Sequence, residues 1–217
     1  MDLTQFSPSS ALITVIVLAL APFVAVMVTS FTKIVVVLSL LRNALGTQQI
    51  PPNVVLNGLA LILTIYVMYP VGTAMMAQME GQESFADSTE DMLVAADSAK
   101  EPLREFMIKH SSEREREFFI STIKRMVGPE QAQDLSSDDF IVVVPAFTIS
   151  ELTTAFQIGF LIFLPFVVID LVIANILMAM GMMMLSPTTI SLPFKLLLFV
   201  LIEGWTKLAH GLVLSYV

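Results

Sequence analysis

Residues 155–185 read AFQIGFLIFLPFVVIDLVIANILMAMGMMML, and this stretch decides the fold. It is longer than the roughly 18–20 apolar residues that a helix needs to cross a membrane. Its apolar side chains do not alternate with polar ones, as they would in the strands of about 10 residues that build an outer-membrane barrel. The stretch therefore predicts a membrane-type helix.

Three further apolar runs, at residues 11–41, 54–79 and 192–217, are also long enough to span a membrane. Hydrophobic residues make up 56% of the chain and charged residues 14%, whereas soluble domains have about 45–50% and 25%. We predict an all-α, integral membrane-type protein of four long, kinked helical segments arranged as two hairpins. Residues 1–77 would form the N-terminal hairpin and residues 141–217 the C-terminal hairpin.

The net charge of −8 lies between these two hairpins. Residues 78–140 contain 15 acidic and 7 basic residues, and the rest of the chain contains four of each. We expect this acidic insert to be a small helical unit in water, with two short helices that break near Ser111 and Ser112. The SEREREFF stretch is expected to be a solvated face that ends in a buried aromatic pair.

Five of the 14 methionines lie between Met178 and Met184, around Gly181 and just before a Ser-Pro pair. Methionine is unbranched and polarizable, so a cluster of it suits a surface that reshapes around variable partners. The alternative is that these side chains fill gaps in a helix core. Glycine before the Met182–Met184 triplet and proline after it favour a bend and a loop.

Charged residues inside the apolar runs need partners, because an Asp, Lys or Arg at the centre of a membrane helix costs about 2.5–3.5 kcal/mol. Asp170 has no opposite charge four residues away, so we expect it to pair with Lys195 or Lys33 on another helix. Arg42 and Glu151 are likewise expected to pair across segments. Such residues suit a chain that other subunits surround.

Glu203 precedes Lys207 by four residues, the favoured order for an ion pair on one helix face. His210 would lie on the same face. The pair is either a static contact within one helix or part of a polar seam at a subunit contact.

The few basic residues of the apolar regions predict the orientation. Lys33, Arg42 and Lys195 lie in or near the short connections within the hairpins, so the positive-inside rule makes those connections cytoplasmic. Both termini and the insert would then lie outside a bacterial inner membrane. The segment 1–10 has no Lys or Arg, and the first run is too long for a signal sequence, so we expect it to be retained.

Enzyme chemistry has little support in the sequence. There is no cysteine, and metalloprotease, serine hydrolase and phosphate-loop motifs are absent. We therefore expect no catalytic residue, no metal and no cofactor. The acidic insert also argues against nucleic acid, which is bound mainly through Lys and Arg.

Two long stretches resemble the FliP/SctR family of type III secretion export-apparatus proteins. They are PAFTISELTTAFQIGF at residues 145–160 and PFVVIDLVIANILMAMGMMMLSPTTISLPFKLLLFVLIEGWTK at residues 165–207. TSFTKIVVVLSLLRNALGTQQIPPN at residues 29–53 extends the resemblance over nearly the whole chain except the insert. The chain is most similar to the injectisome (SctR, YscR-type) branch.

The resemblance implies a homopentamer that assembles with the export-apparatus subunits SctS and SctT, and with SctU and SctV of the same apparatus. It implies a helical cone in the inner membrane, displaced towards the periplasm, that conducts unfolded proteins. It also implies that Met182, Met183 and Met184 form a gasket that closes the pore. Lys33, Arg42, Glu151, Asp170, Lys195, Glu203 and Lys207 are then expected to be structural or inter-subunit residues.

The alternative function is an independent ion or solute transporter. Its relay would use Asp170, Glu203, Lys207 and His210 near the middle of the membrane, where transporters place their ionisable groups. A transporter would work as a small unit that depends on these residues, whereas a gate subunit needs its partners and its loop.

Overall fold

Within residues 8–80, 100–128, 135–182 and 184–217, which the computed structural model describes, the apolar runs form helices and no strand occurs. The predicted all-α class is confirmed. The eight helices of these residues are α1 Pro8–Val28, α2 Phe31–Leu45, α3 Asn53–Glu80, α4 Glu101–His110, α5 Glu113–Val127, α6 Phe140–Ala179, α7 Pro187–Leu201 and α8 Gly204–Leu214.

Two of these helices, α3 over residues Asn53–Gln78 and α6, are each long and apolar enough to cross a membrane. The number of spans rises to four if each bent pair, α1 with α2 and α7 with α8, is counted as one. The first and last runs are thus broken, as predicted for kinked segments. The second and third continue as helices through Pro70 and through Pro145 and Pro165.

The first run bends by 79° between residues Pro22–Val28 and α2. Side-chain hydroxyls bind the backbone carbonyls near the break: Thr29 Oγ1 donates to Ala25 O at 2.7 Å, and Thr32 Oγ1 donates to Val26 O at 2.9 Å. Such bonds satisfy carbonyls that a helix end leaves without an N–H partner. The bend turns α2 away from α1.

The helix α6 begins at Phe140, fifteen residues before the apolar run from which we predicted it. The first two turns are apolar, but Thr148, Ser150 and Glu151 separate them from the apolar run at 155–185. Each of these three polar residues has a partner. Thr148 Oγ1 donates to Val144 O at 2.9 Å, Ser150 accepts a hydrogen bond from Ser112 N at 2.8 Å, and Glu151 forms an ion pair. A helix of 40 residues is about 60 Å long.

The insert forms α4 and α5, which are separated at Ser111 and Ser112 as predicted. Both helices pack on α6. The expected buried aromatic pair is wrong, because Phe118 is 58% exposed and α5 contains no buried residue. The Phe118 and Phe119 rings meet edge to face, with ring centroids 5.4 Å apart.

The helix α2 is the centre of the core. It packs along α6 and α3, and Ile34, Val37 and Leu38 of α2 are almost fully buried. Gly159 of α6 lies against Leu40, so that a Cβ at this position would clash with the Leu40 side chain. This close approach brings the charged residues of α2 within reach of those on α6.

Candidate functional site

The methionine-rich segment is a loop that connects α6 to α7. Gly181 has φ +72°, and two backbone bonds close the end of α6: Gly181 N donates to Met178 O at 3.0 Å, and Met182 N donates to Leu177 O at 2.9 Å. This bond pattern is the Schellman motif, in which glycine takes the left-handed position at low cost. Ser186 and Pro187 then start α7. The predicted bend and loop are confirmed.

The described methionines of this loop project away from the chain. Met182 is 41% exposed and Met184 fully exposed, while Met183 lies outside the described residues. The alternative that these methionines fill a helix core is therefore wrong for Met182 and Met184. Apolar side chains that are exposed together in one chain are typical of a surface that another molecule covers.

Behind the loop, Asp170 of α6 binds two residues of α7. Its Oδ2 lies 2.6 Å from Lys195 Nζ, and its Oδ1 accepts a hydrogen bond from Ser191 Oγ at 2.5 Å. Lys195 Nζ also donates to Ala44 O, in the last turn of α2, at 3.2 Å. The predicted pairing of Asp170 with Lys195 is confirmed, and the alternative partner Lys33 is not used.

Lys33 instead pairs with Glu151, at the opposite end of α2. Lys33 Nζ lies 3.2 Å from Glu151 Oε1, and each side chain is 3% exposed. The Tyr216 hydroxyl donates to Glu151 Oε2, and the Tyr216 ring lies under Lys33 Nζ with 3.6 Å to its centroid. This cluster joins α2, α6 and the segment after α8.

A residue of the insert, His110, covers the Lys33–Glu151 cluster at Tyr216. The ring of His110, the last residue of α4, has its centroid 5.0 Å from that of Tyr216 and 4.7 Å from that of Phe106. Burial, with smaller contributions from the positive charges of Lys33 and Lys109, lowers the pKa of His110 from 6.5 to about 4. His110 is therefore neutral at neutral pH, and its contact with the cluster is aromatic.

Arg42 does not pair with Glu151. Its Nη1 donates to Asn53 Oδ1 at 2.5 Å and to Pro51 O at 3.3 Å, so it joins the end of α2 to the start of α3. The expected pair of Arg42 with Glu151 was wrong because Arg42 lies in the last turn of α2, about 13 Å along the helix from Lys33, which meets Glu151.

The expected pair between Glu203 and Lys207 is also wrong. Both side chains are exposed, and no ion pair joins them in this described part of the chain. Glu203 has φ +53° and precedes the first residue of α8, so the two residues do not share a continuous helix. His210, on α8, is exposed as well.

Two of the three basic residues that predicted the orientation are buried in ion pairs. Lys33 and Lys195 are buried within helices and bound to carboxylates, so they are not exposed loop cations of the kind the positive-inside rule counts. Arg42 alone remains near a connection. The orientation stays a prediction.

Sequence reasoning missed Ser191 and Tyr216. Ser191 lies four residues before Lys195, so it had to face the same partner helix, and this spacing was a usable signal. Tyr216 gave none, because its contact with Glu151 joins residues far apart in the chain. Among the described residues, no group of three or more His, Asp or Glu side chains is placed to hold a metal ion.

Residues 13–212 match the FliP family, which is over nine tenths of the chain. Yop proteins translocation protein R of Yersinia pestis is 55% identical over 199 residues, which cover 92% of each chain. Hypersensitivity response secretion protein HrcR of Ralstonia nicotianae is 50% identical over 210 residues, 96% of this chain and 97% of that one. Flagellar biosynthetic protein FliP of Bacillus subtilis is 46% identical over 200 residues, 92% and 88%. On this similarity the chain belongs to the FliP family.

Proposed function

We propose that the chain is a pore-forming core subunit of a type III secretion export gate, which conducts unfolded proteins across the bacterial inner membrane. The observation that carries the proposal is the exposed methionine loop at the tip of the α6–α7 hairpin. The relatives named for translocation and secretion support an export role, and they favour the injectisome branch. The alternative, an independent transporter, has less support, as the contacts of Asp170 indicate.

The methionines would act as a soft, dry seal. Thioether side chains are uncharged and interact weakly with water and with hard ions such as Na⁺ and K⁺, so a narrow ring of them excludes both. They are also flexible, which lets the same ring adapt to a passing polypeptide of any sequence. Met182, Met183 and Met184 from each copy would together form this gasket.

A ring requires several copies, and the outer face of α6 is suited to such contacts. Phe156, Phe160 and Leu161 are each about 60% exposed, and the polar Gln157 lies exposed among them. A polar amide on an apolar face favours contact with protein over contact with lipid. We propose a homopentamer that also binds SctS and SctT, with SctU and SctV in the same apparatus and lipid at its rim.

The length of α6 supports a position partly outside the bilayer, and we propose that this part lies on the periplasmic side, with the insert. At about 60 Å the helix is twice as long as the hydrocarbon core of a bilayer is thick. Part of it must therefore project beyond the membrane or be covered by protein. We retain the division into an N-terminal hairpin at 1–77, an acidic periplasmic insert at 78–140 and a C-terminal hairpin at 141–217.

The transporter alternative requires a connected relay. Asp170 is bound to Lys195 and Ser191, and in the described residues no hydrogen bond or ion pair links it to Glu203, Lys207 or His210. The arrangement therefore favours a structural role for Asp170.

The gasket is tested by replacing Met182, Met183 and Met184 together with Ala. We expect the complex to assemble with its partners and the resting membrane to leak ions, because the side chains that exclude water are gone. Leak is measured as ion flux in cells and as conductance of the purified complex in planar bilayers.

The matched control replaces exposed methionines elsewhere, Met76 on α3 and Met126 on α5, which are 66% and 79% exposed. This variant should not leak. An assembled triple variant that is as tight as the wild type would contradict the gasket.

A further inference from the structure

The bridge of Asp170, Ser191 and Lys195 lies on the hairpin that carries the methionine loop. Asp170 is nine residues before the end of α6, and Ser191 and Lys195 are in the second and third turns of α7. The bridge is therefore close enough to the loop to determine how α6 and α7 present it.

The bridge fixes α7 against α6 at two points. Ser191 Oγ and Lys195 Nζ bind different oxygens of the same carboxylate, at 2.5 and 2.6 Å. Since these two residues are one helical turn apart on one face, the pair of bonds restrains both rotation and axial sliding of α7.

The same lysine ties the hairpin to the central helix. Lys195 Nζ donates to Ala44 O at 3.2 Å, and Ala44 is in the last turn of α2, whose carbonyls lack intrahelical donors. A cation at this end is favoured by the helix dipole. Lys195 is 5% exposed, so these contacts replace the water that a buried ammonium group loses.

We propose that Asp170, Ser191 and Lys195 are positioning residues that hold the methionine loop in its closed arrangement. The proposal rests on the proposed gate function, in which that loop closes the pore. Loss of the bridge frees α7 to rotate and slide on α6, and the methionines of neighbouring copies then no longer meet in register.

Loop placement can be measured separately from gating, because the chain contains no cysteine. Met184→Cys introduces a single thiol, and its rate of modification by a membrane-impermeant maleimide reports access to the loop in the assembled complex. We expect Asp170→Asn and Lys195→Met to raise this rate about tenfold, as for the loss of one hydrogen bond to a charged group. Resting ion leak should rise with it.

The control Lys124→Met removes an exposed lysine of α5 and should leave the rate unchanged. The double variant Asp170→Lys with Lys195→Asp restores the pair with reversed charge, and it should slow modification towards the wild-type rate although the contact with Ala44 O is lost. Rescue would show that the effect comes from the ion pair itself and not from the loss of either side chain alone.

Faster modification together with leak supports both proposals. Faster modification in a tight complex supports the positioning role but contradicts the gate. An unchanged rate in assembled Asp170→Asn and Lys195→Met complexes overturns the positioning role. If those variants do not assemble, Ser191→Ala is the milder change, and an unchanged rate there overturns it equally.

Discussion

Two lysine–carboxylate pairs in the described part of the chain are buried to different degrees. In the Lys33–Glu151 pair each side chain is 3% exposed, whereas in the Lys195–Asp170 pair the carboxylate is 30% exposed. The first pair is closed by Tyr216 and joins three separate segments, while the second is supported by Ser191 next to a loop. We infer that the sealed pair, Lys33–Glu151, serves the fold, whereas the open pair, Lys195–Asp170, is the one proposed above to position the hairpin.

The sharpest test of this comparison removes one partner from each pair. Glu151→Gln leaves Lys33 as an uncompensated buried charge and should destabilise by about 3–5 kcal/mol. Asp170→Asn should cost clearly less, because Lys195 keeps its hydrogen bond to Ala44 O and position 170 is partly open to water. The measurement is the thermal midpoint and yield of the purified protein in detergent.

Asp138→Asn is the matched control, because Asp138 is 54% exposed in its pair with Arg116 and such pairs contribute only about 0–1 kcal/mol. The double replacement Lys33→Met with Glu151→Met should recover most of the lost stability, since apolar residues can replace a buried pair. Equal losses for Glu151→Gln and Asp170→Asn would remove the distinction between the two pairs.

A smaller effect is expected from Tyr216→Phe, which keeps the ring under Lys33 and deletes only the hydroxyl. The hydroxyl donates to Glu151, and a hydrogen bond to a charged group contributes about 1.5–3 kcal/mol. The same detergent melting experiment measures the loss. Tyr69→Phe, at a ring that is 71% exposed, should be neutral, and equal midpoints for the two variants would show that the sealed pair does not need this donor.

The smallest effect on stability is expected from a change in pH. It should act through His110, beside the sealed pair. With its pKa lowered from 6.5 to about 4, His110 binds a proton in the unfolded chain before it does so in the folded one. Stability should therefore fall as pH decreases from about 6.5 towards 4. Because the ring is half-buried, the change should be modest.

His110→Gln should flatten this part of the profile of thermal midpoint against pH. Lys109→Gln, on the same helix, removes only a minor contributor and should retain most of the slope. A wild-type slope in His110→Gln would assign the pH dependence to other groups.

The pattern of the apolar runs predicted helices correctly because their length leaves few other structures. It failed at the start of α6, where Thr148 and Glu151 in the third and fourth turns have partners in the fold that hydropathy does not show. It also failed at Glu203, because the rule for residues four apart assumes an unbroken helix. Gly204 packs against the Phe199 ring, where a Cβ would clash, and α7 ends before this contact.

The buried pairs were predictable only in part. Asp170 had two possible partners within the apolar runs, and the nearer in sequence was correct. The Lys33–Glu151 pair depends on how α2 and α6 are aligned across more than a hundred residues, which local spacing does not encode. The exposure of the methionines could be predicted from the turn at Gly181. Their role in a pore could not be predicted in this way, because it depends on neighbouring copies.

The helix α6 is continuous and connects the insert mechanically to the methionine loop. The insert is hydrogen-bonded to α6 at Ser150, and Met180 follows the other end of the helix, about 45 Å away. A rotation of α6 at the insert would be transmitted along the helix to the tip of the hairpin. Pro165 lacks the N–H that would bind the previous turn, so the helix would bend most easily at this residue. A movement of the insert would thus be transmitted to the loop without any ligand bound at the loop.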